Sequence, residues 1–475
     1  MIYTNKAKKT TYILAIDLGS TNIKAAIFDS DLKRIGESSI PMPYLSKDIK
    51  KFEFDVDTAW NLVLELFKNV CKNSGLNTKD VKTISIDSQN ETFTILDSSG
   101  KPVLPFISWL DGRAEDESEI LSRRFGSEFY RYCGIPVITP FSDISKFLWI
   151  RKNHPDLLSD SNTIYPFPSY ITYKFIGVNA IDTNLGAMYG LYSLKIGDWR
   201  SDLMDFIGIK RKQIPIIVST GTPIKALRVS KEIDLSPDLE VVLSGNDQTA
   251  AAFGNLVSKG RILIGLGTAL MVYRYMGERK GPYNKNSMWG PYPGGGYYEM
   301  YANNYGTHSL DWARNYLLPG KNVIEFSAIA QLSIERELKT KEVFFYPQRM
   351  GRDDAWVGDG DLRDRALAVF EGISFYLRYI MLEYLKINLA LTPIWVTGGG
   401  SNNTSWLKVI ANVLDTKVYK ASRDALSGAA RMVLPNKEPE NSKNQKIVAP
   451  EQSKVIIYNS LYKVWVRGLK KSDYI

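Results

Sequence analysis

The 475-residue sequence predicts an α/β protein of two domains. Three observations carry that expectation. The chain is longer than one hydrophobic core serves, since single cores stop growing at roughly 250–300 residues. Short apolar strands alternate with amphipathic helical stretches, the order that builds α/β sheets. One strand–Gly turn–strand pattern also occurs twice, about half a chain apart, which points to two related halves. The division is placed at 1–243 and 244–475.

The first copy of the pattern is Tyr12-Ile-Leu-Ala-Ile16, the turn Leu18-Gly19-Ser20-Thr21, and the return strand Lys24-Ala-Ala-Ile-Phe28. Apolar Trp60, Leu62, Val63, Leu66, Phe67 and Val70 predict a helix over 57–74. A strand over 81–86 follows and ends at Asp87-Ser88-Gln89. Residues 240–244 read as a strand that runs into Gly245-Asn246-Asp247-Gln248 and the start of a helix. The second hairpin spans 261–273, and Gly265-Leu-Gly267-Thr268 stands where the first has Asp17-Leu-Gly19-Ser20. Residues 281–305, rich in Gly, Tyr and Asn, read as loops or a short hairpin. One long helix is expected over 361–388, opened by Asp361 and Asp364. A strand at 393–397 leads into Gly398-Gly-Gly400-Ser401 and a helix over 403–414. The polar stretch 435–454 reads as a surface connection, and the last twenty residues as a terminal helix.

Composition removes several function classes. Hydrophobic residues at 44% and charged residues at 23% are ordinary for a globular protein. The net charge of +9 is compatible with a nucleic-acid binder or with a basic, solvated surface. The lysines are spread along the chain, with no helix-turn-helix, zinc-finger or basic-arm signature, so no nucleic-acid partner is expected. No run approaches the ~20 apolar residues of a membrane helix, so no membrane is expected either. Lys6, Lys8 and Lys9 precede an apolar run that stops at Asp17, too short for a signal peptide's ~7–15-residue core. A cytoplasmic protein is expected. Cys71 and Cys133 are the two cysteines, which gives neither a disulfide framework nor a Cys metal cluster.

Three Gly turns follow apolar strands, at 17–21, 265–268 and 398–401. Glycine lets backbone N–H groups converge on a ligand, which is what phosphate binding asks for. Ser20, Thr21 and Thr268 add hydroxyl donors, and Lys24 a point charge. Any one such turn is an ordinary tight hairpin; three, two of them repeated, favour phosphate. Gly-x-x-x-x-Gly-Lys-Ser/Thr is absent, and so is His-Arg-Asp. With His154 and His308 the only histidines, a histidine base is not expected. The base is then a carboxylate. Asp247, where a strand gives way to a helix, is the candidate, against the alternative that it merely caps that helix. Asp17 reads as a ligand to Mg2+, or as a turn aspartate bonding nearby backbone.

These segments resemble the FGGY carbohydrate kinases, within the actin–hexokinase–heat-shock ATPase superfamily. Asp17-Leu-Gly-Ser-Thr-Asn-Ile-Lys24 resembles the family's first phosphate motif, Ser108-Trp-Leu-Asp-Gly-Arg113 its Trp-x-Asp-x-Arg segment, and Gly245-Asn-Asp-Gln248 the motif bearing the catalytic Asp. Gly267-Thr268 resembles the second phosphate motif, and Gly398-Gly-Gly-Ser401 the adenosine motif. Tyr346-Pro347, Gly351-Arg352 and the stretch 365–372 are similar to the family's second signature region.

The resemblance implies two ribonuclease H-like domains with a cleft between them, and ATP-dependent phosphorylation of a sugar or polyol hydroxyl with Mg2+. It implies Asp247 as general base, also touching substrate. Asp17, Gly19, Ser20, Thr21, Lys24, Gly267 and Thr268 would hold phosphates, and Gly399, Gly400 and Asn403 would line the adenine pocket. Gln89, Glu91, Trp109 and Asp111 would face the sugar. The partner expected is a small-molecule sugar or polyol, with a homodimer as the assembly considered. Gln89-Asn-Glu-Thr92 is similar to the Gln-Arg-Glu-Thr stretch of glycerol kinases with Asn90 replacing Arg, whereas Trp109-Leu-Asp-Gly-Arg113 is closer to xylulose kinases. A xylulose-type ketopentose is the first expectation and glycerol or another polyol the second. The rival is a non-metabolic ATPase or scaffold of the same superfamily.

Overall fold

The computed structural model describes residues 11–336, 342–437 and 446–470. The chain divides into two compact units. The first holds Met1–Gly254, Met276–Tyr298 and Arg423–Asn441; the second holds Asn255–Tyr275, Glu299–Ser422 and Ser442–Ile475. This differs from a single division between 243 and 244. Asp247 lies in the first unit. The reason is physical: the strand Glu240–Asn246 pairs in parallel with the strand Val81–Ser88, and the helix after it packs against the helix Ala425–Val433, which returns to the first unit.

The first unit is organised on a mixed sheet. Strands β1 (Tyr12–Leu18) and β2 (Asn22–Phe28) form an antiparallel hairpin. β3 (Arg34–Pro41) extends it on the far side of β2. A second, smaller sheet contains β4 (Tyr44–Asp48) and β5 (Lys51–Phe54). Helix α1 (Val56–Asn73) leads to β6 (Val81–Ser88), which pairs with β1 in parallel. The main sheet then runs β3-β2-β1-β6, followed by Glu240–Asn246 and Pro223–Lys225. The smaller sheet is completed by β7 (Phe93–Leu96), β8 (Phe106–Ile107) and β9 (Thr163–Pro166), in the order β4-β5-β8-β7-β9.

β1 is buried on both faces, which is why it reads as one apolar run rather than an alternation. Leu14, Ile16 and Leu18 meet Trp60, Val63, Phe67 and Val70 of α1. Ile13 and Ala15 meet Leu426, Ala429 and Ala430 from late in the chain. α1 starts where Asp55 accepts a hydrogen bond from Thr58 N at 2.7 Å.

In the second unit, Ile262–Leu266 and Leu270–Gly277 form the echoing hairpin, and the first of these pairs in parallel with Ile394–Thr397. A hairpin whose first strand has a parallel neighbour is thus present in both units. The expected helix over 361–388 is α-helical only over Leu362–Tyr379, with Asp361 and Asp364 forming a reciprocal cap. A π-helical turn follows at Ile380–Tyr384, and Lys386, at φ +51°, turns the chain out of the helix. Residues 281–305 contain two strands, Met288–Pro291 and Tyr297–Asn303. The expected surface connection at 435–454 falls partly outside the described residues. Among the described residues no helix is long and apolar enough to cross a membrane.

Candidate active site

The sheet of the first unit carries Asp17 and Asp87, and the starts of two helices carry Asp247 and Asp424. Asp17, at the end of β1, lies beside Asp87 of β6 in register and across from Lys24 of β2. Lys24 Nζ approaches Asp17 Oδ2 at 3.3 Å. Asp17 is 6% exposed and Asp87 is fully buried. Asp17 Oδ1 and both oxygens of Asp87 receive no hydrogen bond from the described residues. Burial, then repulsion from Asp17, Asp247 and Asp424, pushes the Asp87 carboxyl well above its ordinary range. Burial also raises Asp17, against the pull of Lys24. Asp424 caps the helix Ala425–Val433 by accepting from Ser427 N at 3.0 Å, and Arg34 holds it at 2.5 Å.

The turn after Asp17 is tight. A Cβ on Gly19 would lie 2.7 Å from Asn22 O, so no larger residue fits. Tyr44 donates to Ser20 O at 2.8 Å, and Met42 N donates to Thr21 O at 2.9 Å. The carbonyls of the turn are thereby fixed, while Ser20 is partly exposed and Thr21 exposed.

Asp247 opens the helix Asp247–Gly254. The capping role falls to its neighbour: Asn246 Oδ1 accepts from Gln248 N at 3.0 Å. Asp247 itself holds Gln248, through N at 2.8 Å and Nε2 at 3.2 Å. Gly245, at φ +75°, makes the bend that presents it, with a Cβ there only 2.8 Å from Asn184 Oδ1. Asn184 Oδ1 in turn accepts from Asn246 N at 3.0 Å. Burial and the charge of Asp17 push the Asp247 carboxyl up to about 6, while Gln248 and Lys24 oppose that rise. That value suits a base that must be ionised near neutral pH.

The segment after β6 carries the expected sugar-facing residues. Gln89 is 5% exposed, and neither its Nε2 nor its Oε1 has a partner among the described residues. Glu91 sits at φ +49°, a left-handed conformation unusual for a non-glycine residue. Trp109 is partly exposed, and its N–H donates to Thr92 Oγ1 at 3.1 Å. Asp111 is bonded within the loop. It is fully buried and accepts from Phe52 N at 2.7 Å and from Arg113 at 2.8 and 2.6 Å. Its oxygens tie the loop to Phe52 and Arg113.

In the second unit, Gly267 and Thr268 stand at the hairpin turn, with no atom closer than 3.8 Å to a Cβ built on Gly267. The helix Thr307–Leu317 braces this turn: Thr307 N donates to Gly267 O at 2.7 Å and His308 N to Thr268 O at 3.3 Å. A Cβ on Gly306 would lie 2.4 Å from Gly267 O. Gly399 has open space around it, whereas Gly400 packs on Trp406, where a Cβ would come within 2.6 Å. Asn403 uses its side-chain oxygen to cap the helix Thr404–Leu414, accepting from Trp406 N at 3.0 Å.

Sequence reasoning missed Asp87, Asp424 and Gly306. Asp87 had a signal: it ends a strand parallel to β1, level with Asp17. Asp424 had none, because its place depends on a helix arriving from far along the chain.

Comparison with other proteins shows the family. The N-terminal domain of the FGGY family of carbohydrate kinases matches residues 12–254, and the C-terminal domain of that family matches residues 357–432. The chain belongs to the FGGY family of carbohydrate kinases. It is 21% identical to a xylulose kinase of Bacillus subtilis, over 87% of this chain and 85% of that one. An L-fuculokinase of Salmonella typhi is 24% identical over 89% of this chain and 92% of its own length. A gluconokinase of Bacillus subtilis is 25% identical, but over 55% of this chain and 51% of its own. In fold, it is similar to the crystal structure of ligand-bound xylulose kinase from Lactobacillus acidophilus, at a TM-score of 0.80 and 21% identity, covering 98% of this chain and 99% of that chain. The protein is a sugar or polyol kinase with ATP as phosphoryl donor.

Proposed function

We propose that the chain transfers the terminal phosphoryl group of ATP to a hydroxyl of a ketose of the xylulose type, with Asp247 as the base. The observation that carries the assignment of the base is that Asn246 takes the capping duty at the helix start, which leaves Asp247 next to Asp17 with its pKa raised to about 6. Two relatives that match nearly the whole chain are named for xylulose and L-fuculose, both ketoses. Glycerol or another polyol is the second reading, from the Gln89-Asn-Glu-Thr92 stretch.

Asp247 would accept the proton from the attacking hydroxyl as its oxygen meets the phosphorus. Gln89, Glu91 and Trp109 would orient the sugar: an amide and an acid bind hydroxyls, and an indole face covers C–H groups. Gly19, Ser20, Thr21 and Lys24 in the first unit, and Gly267 and Thr268 in the second, are assigned to phosphate. Gly399 and Gly400 are assigned to the adenosine end, with Asn403 placing the helix behind them.

Mg2+ fits the residues present. The oxygens of Asp17 and Asp87 that lack donors are hard anionic ligands. No group of three or more His, Cys, Asp or Glu among the described residues would hold a metal alone, which agrees with a cation shared with phosphate oxygens. When bound, it would neutralise charge on the transferring group, and Asp17 would hold it directly or through water.

The test is ATP consumption against a panel of ketopentoses, hexuloses, aldonates, glycerol and other polyols, with Asp247→Asn beside the wild type. Stimulation by one ketose, lost in the variant, supports the reading. Stimulation that survives in the variant removes Asp247 as base.

A further inference from the structure

We infer that the sugar-facing segment accepts an uncharged polyhydroxyl compound and discriminates against an aldonate; this rests on the kinase reading above and narrows its substrate class. The ground is charge compensation around residues 89–92 and 108–113. Lys146 is completely buried beneath them. Its Nζ donates to Glu91 O at 2.8 Å and to Ser108 O at 3.1 Å, and pairs with the equally buried Asp143 at 2.9 Å. Arg113 binds Asp111 at 2.6 Å and Glu53 at 2.5 Å. Two cations therefore face Asp143, Asp111 and Glu53 before Glu91 is counted, and neither is left to receive a carboxylate from outside.

Glu91 brings no cation to this set either. Its unusual backbone conformation persists because the loop is pinned on both sides: Lys146 holds its carbonyl, and Tyr189 donates to Thr92 O at 2.9 Å. Burial, then the charge of Asp143, pushes the Glu91 carboxyl up to about 8, so near neutral pH it is mostly protonated and can both give and take hydrogen bonds with a hydroxyl. Beside it, Gln89 offers an unpartnered donor and an unpartnered acceptor, a neutral pair suited to hydroxyl groups, which both give and take hydrogen bonds. A substrate carboxylate would add to the excess and find no cation in compensation.

The experiment uses matched pairs: D-xylulose and xylitol against D-xylonate, and D-fructose and D-glucitol against D-gluconate. ATP consumption is read with each, and so is the ligand-induced shift in Tm. The neutral members are expected to lead in kcat/KM by on the order of 10–100-fold, the size set by one uncompensated charge at contact-scale separation. Asp143→Asn frees Lys146 from its partner and is expected to move the ratio toward the acid by about tenfold. Glu91→Gln replaces a mostly protonated acid by a neutral amide and should leave the ratio close to the wild-type value near pH 7, whatever it does to the absolute rate.

An acid used as well as its neutral partner overturns the inference, and so does an unchanged ratio in a folded Asp143→Asn. If that variant does not fold, the wild-type pairs decide. If no compound is phosphorylated, the Tm arm separates the two claims. Neutral compounds that stabilise while acids do not would keep the inference and sink the kinase reading. Stabilisation by acids, or by neither, overturns the inference.

Discussion

Asp247→Asn is the sharpest perturbation of the proposed chemistry. Asparagine keeps the shape and the contact to Gln248 but cannot take a proton. A positioned base contributes about 10²–10⁴-fold, so kcat should fall by that factor, or about 3–5 kcal/mol of barrier at 1.36 kcal/mol per tenfold. The wild type has a second signature. Asp247 works ionised, and its carboxyl titrates at about 6. Activity is therefore retained above that pH and lost as pH falls through it, to roughly a tenth one unit below. The neighbours set the position of this limb with known signs. Lys24 pulls the value down, so Lys24→Met should move the limb to higher pH; Asp17 pushes it up, so Asp17→Asn should move it lower. The assay is coupled ADP release across pH 5 to 9 with saturating sugar and ATP. A variant Asp247→Asn that keeps more than about a tenth of kcat, or a limb that ignores Lys24 and Asp17, would refute the reasoning.

Three other substitutions test the frame around the site. Asp87 has a raised folded pKa, so wild-type stability is fully present at low pH and declines as pH rises through that value; Asp87→Asn should raise Tm by a few degrees, increasingly toward alkaline pH, in a thermal melt series. Gly428→Val should destabilise the first unit by about 1–3 kcal/mol in urea titration, since even a Cβ there would lie 1.7 Å from Ala250 O in the helix that begins with Asp247. Trp109→Ala should raise the sugar KM by about tenfold with little effect on the KM for ATP, if its face covers the sugar.

The hairpins, the Gly turns and the order of strands were legible because each is a local pattern. Tyr12–Leu18 is apolar on both faces, and glycine at 19 is demanded by a contact three residues away. Asp247 was legible as a strand-to-helix residue, but only the structure assigns the cap to Asn246. The surroundings of Asp111 were not legible, because polarity in a motif does not say whether an acid meets a ligand or an arginine; here Arg113 bonds both its oxygens. The grouping of Glu240–Asn246 with the first unit was not legible for a related reason. Strand pairing keeps Glu240–Asn246 with β6, and pairing across a hundred and more residues leaves no local trace. The long helix ended early at a π-helical turn whose sequence, Ile380–Tyr384, is as helix-compatible as what precedes it.

The helix Ala425–Val433 has a consequence for biosynthesis. One face of β1 and β2, with Ile13, Ala15, Ala26 and Phe28, is covered by Leu426, Ala429 and Ala430. Those residues leave the ribosome about 170 residues after the end of the helix that starts at Asp247. At ~5–20 residues per second the nascent sheet waits roughly 10–35 s for its cover. During that interval an apolar face that the finished enzyme hides is open to other chains. A fragment ending at Gly254 would keep that exposure permanently, and so should need a holding chaperone or aggregate where the full chain does not.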